Sequence, residues 1–382
     1  MLNTKTLMCV IPLALGSTTA FAGGMEKTAL STAFLFESGN YAELSFQSSD
    51  YDVSSSSGGD VSVIGDLQTT NFALKFDIDD KISFGISRYL QSSIDVNYPS
   101  NWVSGTQITV APGVSIPQAQ FLPSADLKID ATAALIKYRF NENFSLTGGV
   151  KLSTVRDASL SIPFTGTNVS VAGDSETSYI YGLAYERPEI ALRVELIREE
   201  EVGFSLTPTG TFANETATGT EASLPTYTSL NVQSGIAPDT LAFFSARRAD
   251  WASHQVILSH DATTPLTAAI SSFSDTTTYS VGIGRKLSDT LSASLAYNWE
   301  EGSGPNSGPN STSSLSITDG YRGISAGIKY TYDNITISGG VNYTQLGDTI
   351  VNQNSLAGPV LTNAPFNDNT VTSVGLRIGY HF

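Results

Sequence analysis

The sequence holds a single cysteine in 382 residues, Cys9, and that one lies within an apolar run near the start. Beyond it the chain has no thiol, so neither disulfides nor cysteine-ligated metals can organise the fold. No later apolar run reaches the roughly 20 residues that a membrane-crossing helix needs. Basic residues are scarce: 20 Lys and Arg stand against 36 Asp and Glu, a net charge of -16. Nucleic acid, which requires a basic footprint, is therefore not an expected partner. His-x-x-x-His metal spacing and Gly-rich phosphate loops are also missing, and no cofactor or metal is expected. A mean hydropathy of -0.02 would ordinarily describe a water-soluble chain. Transmembrane strands give the same average, because lipid-facing and lumen-facing residues alternate along them.

Residues 1–22 read as a secretory signal peptide, with Lys5 in the basic region, an apolar core from Leu7 to Leu15, and Ala20-Phe21-Ala22 as the cleavage site. Few prolines, 33 glycines and abundant Ser and Thr favour strands and turns over helices in the remainder. Period-two alternation bounded by turn residues predicts about fourteen strands. Most come as pairs around tight turns: Asp79–Lys81, Asn141–Asn143, Arg187–Glu189, Ala237–Asp239, Ser288-Asp289 and Asp333-Asn334. Long polar connections separate the pairs, roughly 48–70, 90–125, 154–174, 199–226, 250–274, 302–318 and 345–370. Short turns alternating with long loops over an even strand count predict an all-β, up-and-down transmembrane barrel with periplasmic turns and extracellular loops.

The closing stretch, VGLRIGYHF, shows the pattern in miniature. Val374, Leu376, Ile378, Tyr380 and Phe382 share one face, and Gly375, Arg377, Gly379 and His381 share the other. Aromatics collect at strand ends, where interfacial girdles form, as with Tyr138, Phe140, Phe144, Tyr330 and Tyr343. The charged faces carry Lys75, Lys137, Lys151, Glu195 and Lys329, which lipid would not tolerate, so they are expected to point inward. A secreted β-sandwich also alternates, but it requires no aromatic strand ends. The terminal strand ending on Phe382 resembles the C-terminal signal of bacterial outer-membrane proteins, which implies recognition by the barrel-assembly machinery and a Gram-negative outer-membrane location.

Two further stretches, FLFESGNYAELSF at Phe34–Phe46 and SGIAPDTLAFFSARRADW at Ser234–Trp251, resemble the FadL-type long-chain fatty-acid transporters. The resemblance implies a monomeric fourteen-strand barrel at residues 40–382 with an N-terminal plug. It also implies a ligand caught by loops, held in the lumen and released sideways at a kinked strand into outer-membrane lipid. Residues 23–39 are shorter than the usual plug and lack its Asn-Pro-Ala motif; they are expected to enter the pore as a shortened one. Gly85, Gly148-Gly149, Gly182 and Gly339-Gly340 would each permit a kink.

The apolar residues Trp102, Ile116, Phe121, Phe164, Phe204 and Phe212 in long connections are candidates for ligand capture, the alternative being a small core under the loops. Arg139, Lys151, Arg193 and Arg377 are candidates for a carboxylate headgroup in the lumen, because guanidinium and ammonium groups bind carboxylates strongly away from water. The competing reading pairs them with lumenal acids such as Glu43, Glu195 or Asp130. No catalytic residues are expected: His254, the His260-Asp261 neighbours and His381 form no convincing triad in sequence. The predicted function is uptake of long-chain fatty acids or similar hydrophobic molecules, with a general or polar-solute porin, or a structural barrel, as the alternative.

Overall fold

The computed structural model describes residues 24–56, 61–98, 107–117, 123–302, 315, 317–351 and 364–382. Within these, fourteen antiparallel strands close into one transmembrane barrel. In chain order they are β1 Tyr41–Asp52, β2 Leu67–Asp77, β3 Ile82–Asn97, β4 Ser124–Arg139, β5 Phe144–Val155, β6 Asp174–Arg187, β7 Leu192–Glu199, β8 Tyr227–Ala237, β9 Thr240–Ala249, β10 Thr276–Lys286, β11 Leu291–Glu300, β12 Tyr321–Tyr332, β13 Ile335–Leu346 and β14 Thr370–His381. The ring shuts where β1 pairs with β14 from Tyr41↔His381 to Asp52↔Thr370. Closure removes the two terminal edges of the sheet, the condition for it to survive in hydrocarbon.

Alternation sets the two faces as expected. Leu44, Phe46, Ile136, Leu146, Val150, Val341 and Leu376 form part of an exposed apolar belt, flanked by exposed Tyr138, Phe140, Tyr332 and Tyr380. The neighbours of belt residues in sequence, among them Lys75, Lys137, Lys151 and Glu195, are buried in the interior. The tight turns sit where the turn residues placed them; Asp239 and Asp333 adopt positive φ of 57° and 54°, a conformation Asp accepts more readily than most residues.

The strands run further toward the long-loop side than alternation alone indicated. β3 and β4 continue to Asn97 and from Ser124, through residues read from sequence as connection. Beyond the barrel the long connections fold into small sheets, one joining Val202–Leu206, Gly219–Leu224, Ile257–His260 and Leu266–Ala269. All seven long connections or the strand ends beside them feed one apolar cluster that includes Tyr51, Tyr98, Leu160, Phe204, Trp251, Ile317 and Phe366. A cluster drawing on every connection must cross the barrel mouth, so the long-loop end is roofed by packed side chains.

Candidate ligand path

The N-terminal segment, residues 24–40, lies against the inner wall and makes up for an irregularity in β3. Between Leu90 and Ser92 that strand carries one extra residue, Gln91, opposite Asp130 and Ile129 of β4. Such a bulge bends its strand and breaks pairing on one side. The β2–β3 ladder accordingly runs only from Asp77↔Ser83 to Phe72↔Arg88. Above that rung, Leu67–Asn71 of β2 still pair with β1 but have no partner toward β3 among the described residues.

Because unpaired backbone groups are costly when buried, the free edge of β3 has to bond elsewhere. It bonds to the N-terminal segment: Lys27 N–H donates to the Gln91 carbonyl at 2.7 Å, Ser93 N–H donates to the Met25 carbonyl at 3.0 Å, and Glu26 bridges Ser92. Higher still, Asn97 N–H donates to the Val63 carbonyl at 2.8 Å. The upper half of β3 thus parts from β2 while staying paired with β4, and a gap remains on the β2 side. That gap is lined by Phe46, Phe72 and Leu376 from the lipid-facing side and by Asn71, Ser87 and Tyr89 from the inner side. None of the glycines that could permit a kink lies at the bulge itself.

Lower down, the segment is held by cations. Lys75 Nζ donates to the carbonyls of Glu37 at 2.6 Å and Gly39 at 3.0 Å, and Lys137 Nζ donates to the Leu35 carbonyl. The Phe36 ring lies 4.1 Å from Lys137 Nζ and 4.3 Å from the Arg193 guanidinium. Thr32 Oγ1 reaches both oxygens of Glu195 at 2.8 and 2.9 Å. Phe34 and Leu35 are fully buried beside Gly85, where a Cβ would collide with both side chains. The Gly85 of the kink candidates therefore serves close approach rather than bending. Burial raises the Glu37 carboxyl above its ordinary pKa; Lys329, His381 and Arg193 oppose that shift, and Glu43 adds to it.

A cavity of about 160 Å³ separates the segment from the wall. Leu30, Phe243 and Val232 contribute its apolar part, and Arg193, Arg247 and Arg377 its cationic part. Of the four expected headgroup residues the structure brings two to this space. Arg193 donates to Gln233 at 3.2 Å, and Arg377 lines both the cavity and the wall gap, with its Nε 3.9 Å from Glu43. Lys151 is fully buried in an ion pair with Glu199 at 2.8 Å, and Arg139 is exposed at the short-turn rim.

Of the expected capture residues, Phe204 and Phe212 are buried in the roof cluster. Ile116 belongs to the short strand Val114–Pro117 and Phe164 to the 3-10 turn Pro163–Thr165. Trp102 and Phe121, like residues 1–22 read from sequence as a signal peptide, lie outside the described residues.

Sequence reasoning passed over the strongest ionic group in the lumen. Arg247 contacts Glu26 at 2.6 Å and Glu199 at 2.9 Å, donates to Ser229, and stacks 4.2 Å from the Tyr227 ring. With Lys151 the network holds two cations and two carboxylates, so it is neutral overall. Extending the alternation of Leu241 and Phe243 by two further steps would have put Arg247 on the inner face and Arg248 on the outer one.

A closed fourteen-strand barrel with an interrupted wall and an N-terminal segment beside the interruption defines a class of transmembrane channel. Solved structures of the same architecture are a Pseudomonas aeruginosa FadL homologue, with 13% identity, a TM-score of 0.71 and 92% of both chains covered, and the P. putida toluene transporter TodX, with 13% identity, a TM-score of 0.61 and 92% of both chains covered. The Ralstonia pickettii toluene transporter TbuX is similar at 10% identity and a TM-score of 0.59, covering 91% of this chain and 90% of its own. No family model and no curated protein matches this chain in sequence. At such low identity the likeness establishes the fold.

Proposed function

We propose that this barrel takes up hydrophobic small molecules across a Gram-negative outer membrane. The ligand is caught among the long extracellular connections, where Trp102, Ile116, Phe121 and Phe164 supply apolar surface. It occupies the cavity beside residues 29–33 and leaves between β2 and β3 into the bilayer, with residues 24–39 acting as the plug that guards the path. The single observation that carries this reading is the wall gap, lined on its outer side by Phe46, Phe72 and Leu376 at the height of the apolar belt. A solute path for sugars has no use for an opening toward lipid.

Cavity size separates two ligand classes. At about 160 Å³ the resting space matches an apolar cavity able to hold one aromatic ring. A long-chain fatty acid needs a pocket of the order of 300 Å³ or more, so it fits only if residues 29–33 yield. The arginines favour the acid, since a carboxylate gains charge-assisted bonds from Arg193 and Arg377 that a hydrocarbon cannot make. Long-chain fatty acids are therefore the first reading and single-ring aromatics the second.

Purified barrel in lipid vesicles would distinguish them. Uptake of oleate or toluene above sugar flux is expected, and Arg193→Ala is expected to weaken oleate binding about tenfold, the loss of about 1.4 kcal/mol, while leaving toluene unaffected. Sugar flux without hydrophobic uptake would overturn the proposal.

A further inference from the structure

On the outer surface of the barrel, two arginines converge on one carboxylate that the transport path does not use. Arg156 grips Asp130 in a two-pronged contact, Nε to Oδ2 and Nη2 to Oδ1, both at 2.8 Å, and Arg88 Nη2 reaches Oδ2 at 3.2 Å. Asp130 alternates with Ala131, Ala133 and Leu135, which are buried inside, so it faces outward with Ile136 and Tyr138. Arg88 likewise continues the outward row of Phe84 and Ile86, and Arg156 that of Val150 and Leu152. The cluster therefore sits on the lipid-facing side at the edge of the apolar belt nearest the long loops.

Stability alone does not account for it. Both guanidinium side chains are more than half exposed, 56% and 54%, and exposed ion pairs contribute about 0–1 kcal/mol. Two cations on one anion leave a surplus positive charge and several N–H donors facing outward. Lys128, whose carbonyl accepts from the Arg156 N–H at 2.8 Å, is paired with Asp126 and leaves the charge of the cluster unchanged.

From this we infer that Arg88 and Arg156, held by Asp130, bind the phosphate of a phosphorylated lipid in the outer leaflet. Guanidinium pairs match phosphate oxygens in geometry as well as charge, and the apolar belt directly below would receive the acyl chains. Asp130 fixes the spacing of the two arginines. Arg88 also lines the outer lip of the β2–β3 gap, so the bound lipid stands beside the opening. The inference needs the barrel to lie in an outer membrane and does not depend on what it transports.

The test uses the full mature chain in detergent, with lipid A, lipid A stripped of its phosphates, and inorganic phosphate as probes, and native mass spectrometry as the readout. Lipid A is expected to bind at least tenfold more tightly than the stripped lipid. That preference should vanish in the double variant Arg88→Gln/Arg156→Gln, shrink in Arg156→Gln alone, and persist in Arg198→Gln, an exposed arginine on β7 outside the cluster. Heat-modifiable gel mobility identifies the folded variants, and the single variant carries the test if the double one does not fold. Equal binding of both lipids, retention of the preference in the folded cluster variants, equal loss in Arg198→Gln, or competition by inorganic phosphate at the lipid's own concentration would each overturn the assignment.

Discussion

Two seams of the barrel, separated by the β1–β2 pair, behave in opposite ways. Where β1 meets β14 the ladder runs without a break along the full length of both strands. Where β2 meets β3 it stops at Phe72↔Arg88, although both strands continue. The apolar-belt residues beside the two seams are of the same kind, so lateral packing does not explain the contrast. The difference is one extra residue, Gln91, together with a second peptide placed to accept the displaced hydrogen bonds. A barrel wall can therefore be interrupted with one of its two edges still bonded, because another stretch of chain takes over the pairing on the β3 side.

The largest effect on this contrast should come from Arg247→Ala. It leaves Glu26 and Glu199 buried with less positive charge than they need, a loss of about 3–5 kcal/mol for broken buried pairs. The midpoint of urea unfolding is expected to fall, and the N-terminal segment to become accessible to protease. An unchanged midpoint would mean that the segment is not held through Glu26.

Next in size is deletion of Gln91, which removes the bulge and lets β3 run straight. The β2–β3 ladder should then extend past Arg88, and hydrophobic uptake should fall by a factor of ten or more. Undiminished uptake with a folded barrel would place the exit elsewhere. A reversible version uses cysteines at Asn71 and Tyr89, the next rung if the ladder continued, in a chain whose one other cysteine, Cys9, is replaced by serine. Oxidation should suppress uptake and reduction restore it; uptake insensitive to cross-linking would exclude the seam as the route.

A smaller effect is expected at the lower end of the segment. The Glu37 carboxyl is raised by burial, so the docked segment binds a proton more readily than the released one. Docking is then favoured at low pH and weakens as pH rises through the raised value. Amide exchange across residues 28–40 should quicken with rising pH, and Glu37→Gln should flatten that dependence. The dependence should be modest because Lys329, His381 and Arg193 oppose the shift. Persistence of the full pH dependence in Glu37→Gln would assign it to another group.

The seams also show what the amino-acid order made legible. Alternation located all fourteen strands and the inward lysines, because lipid on one side and lumen on the other force a period of two. It failed at Gln91, since the residue following a bulge resumes the same alternation one step out of phase, and Leu90, Ser92 and Ser93 read simply as the start of a loop. Facing also left the lumenal cations equivalent. Only three-dimensional pairing separates Lys151, neutralised by Glu199, from Arg193 and Arg377 at the cavity. Phe204 and Phe212 read as capture candidates or as a core under the loops, because a loop phenylalanine waiting for a ligand and one packed in a roof have the same sequence signature; the structure buries both.

The bulge has a meaning beyond this one barrel. Inserting one amino acid into a closed cylinder, with a short peptide tethered nearby to receive the orphaned bonds, yields a side window while the hoop stays intact. On the proposed exit route, one inserted residue and one tethered peptide together would turn a sealed pipe into one that vents through its flank, and the same two ingredients could be tried on any other β-cylinder whose leading residues reach its interior.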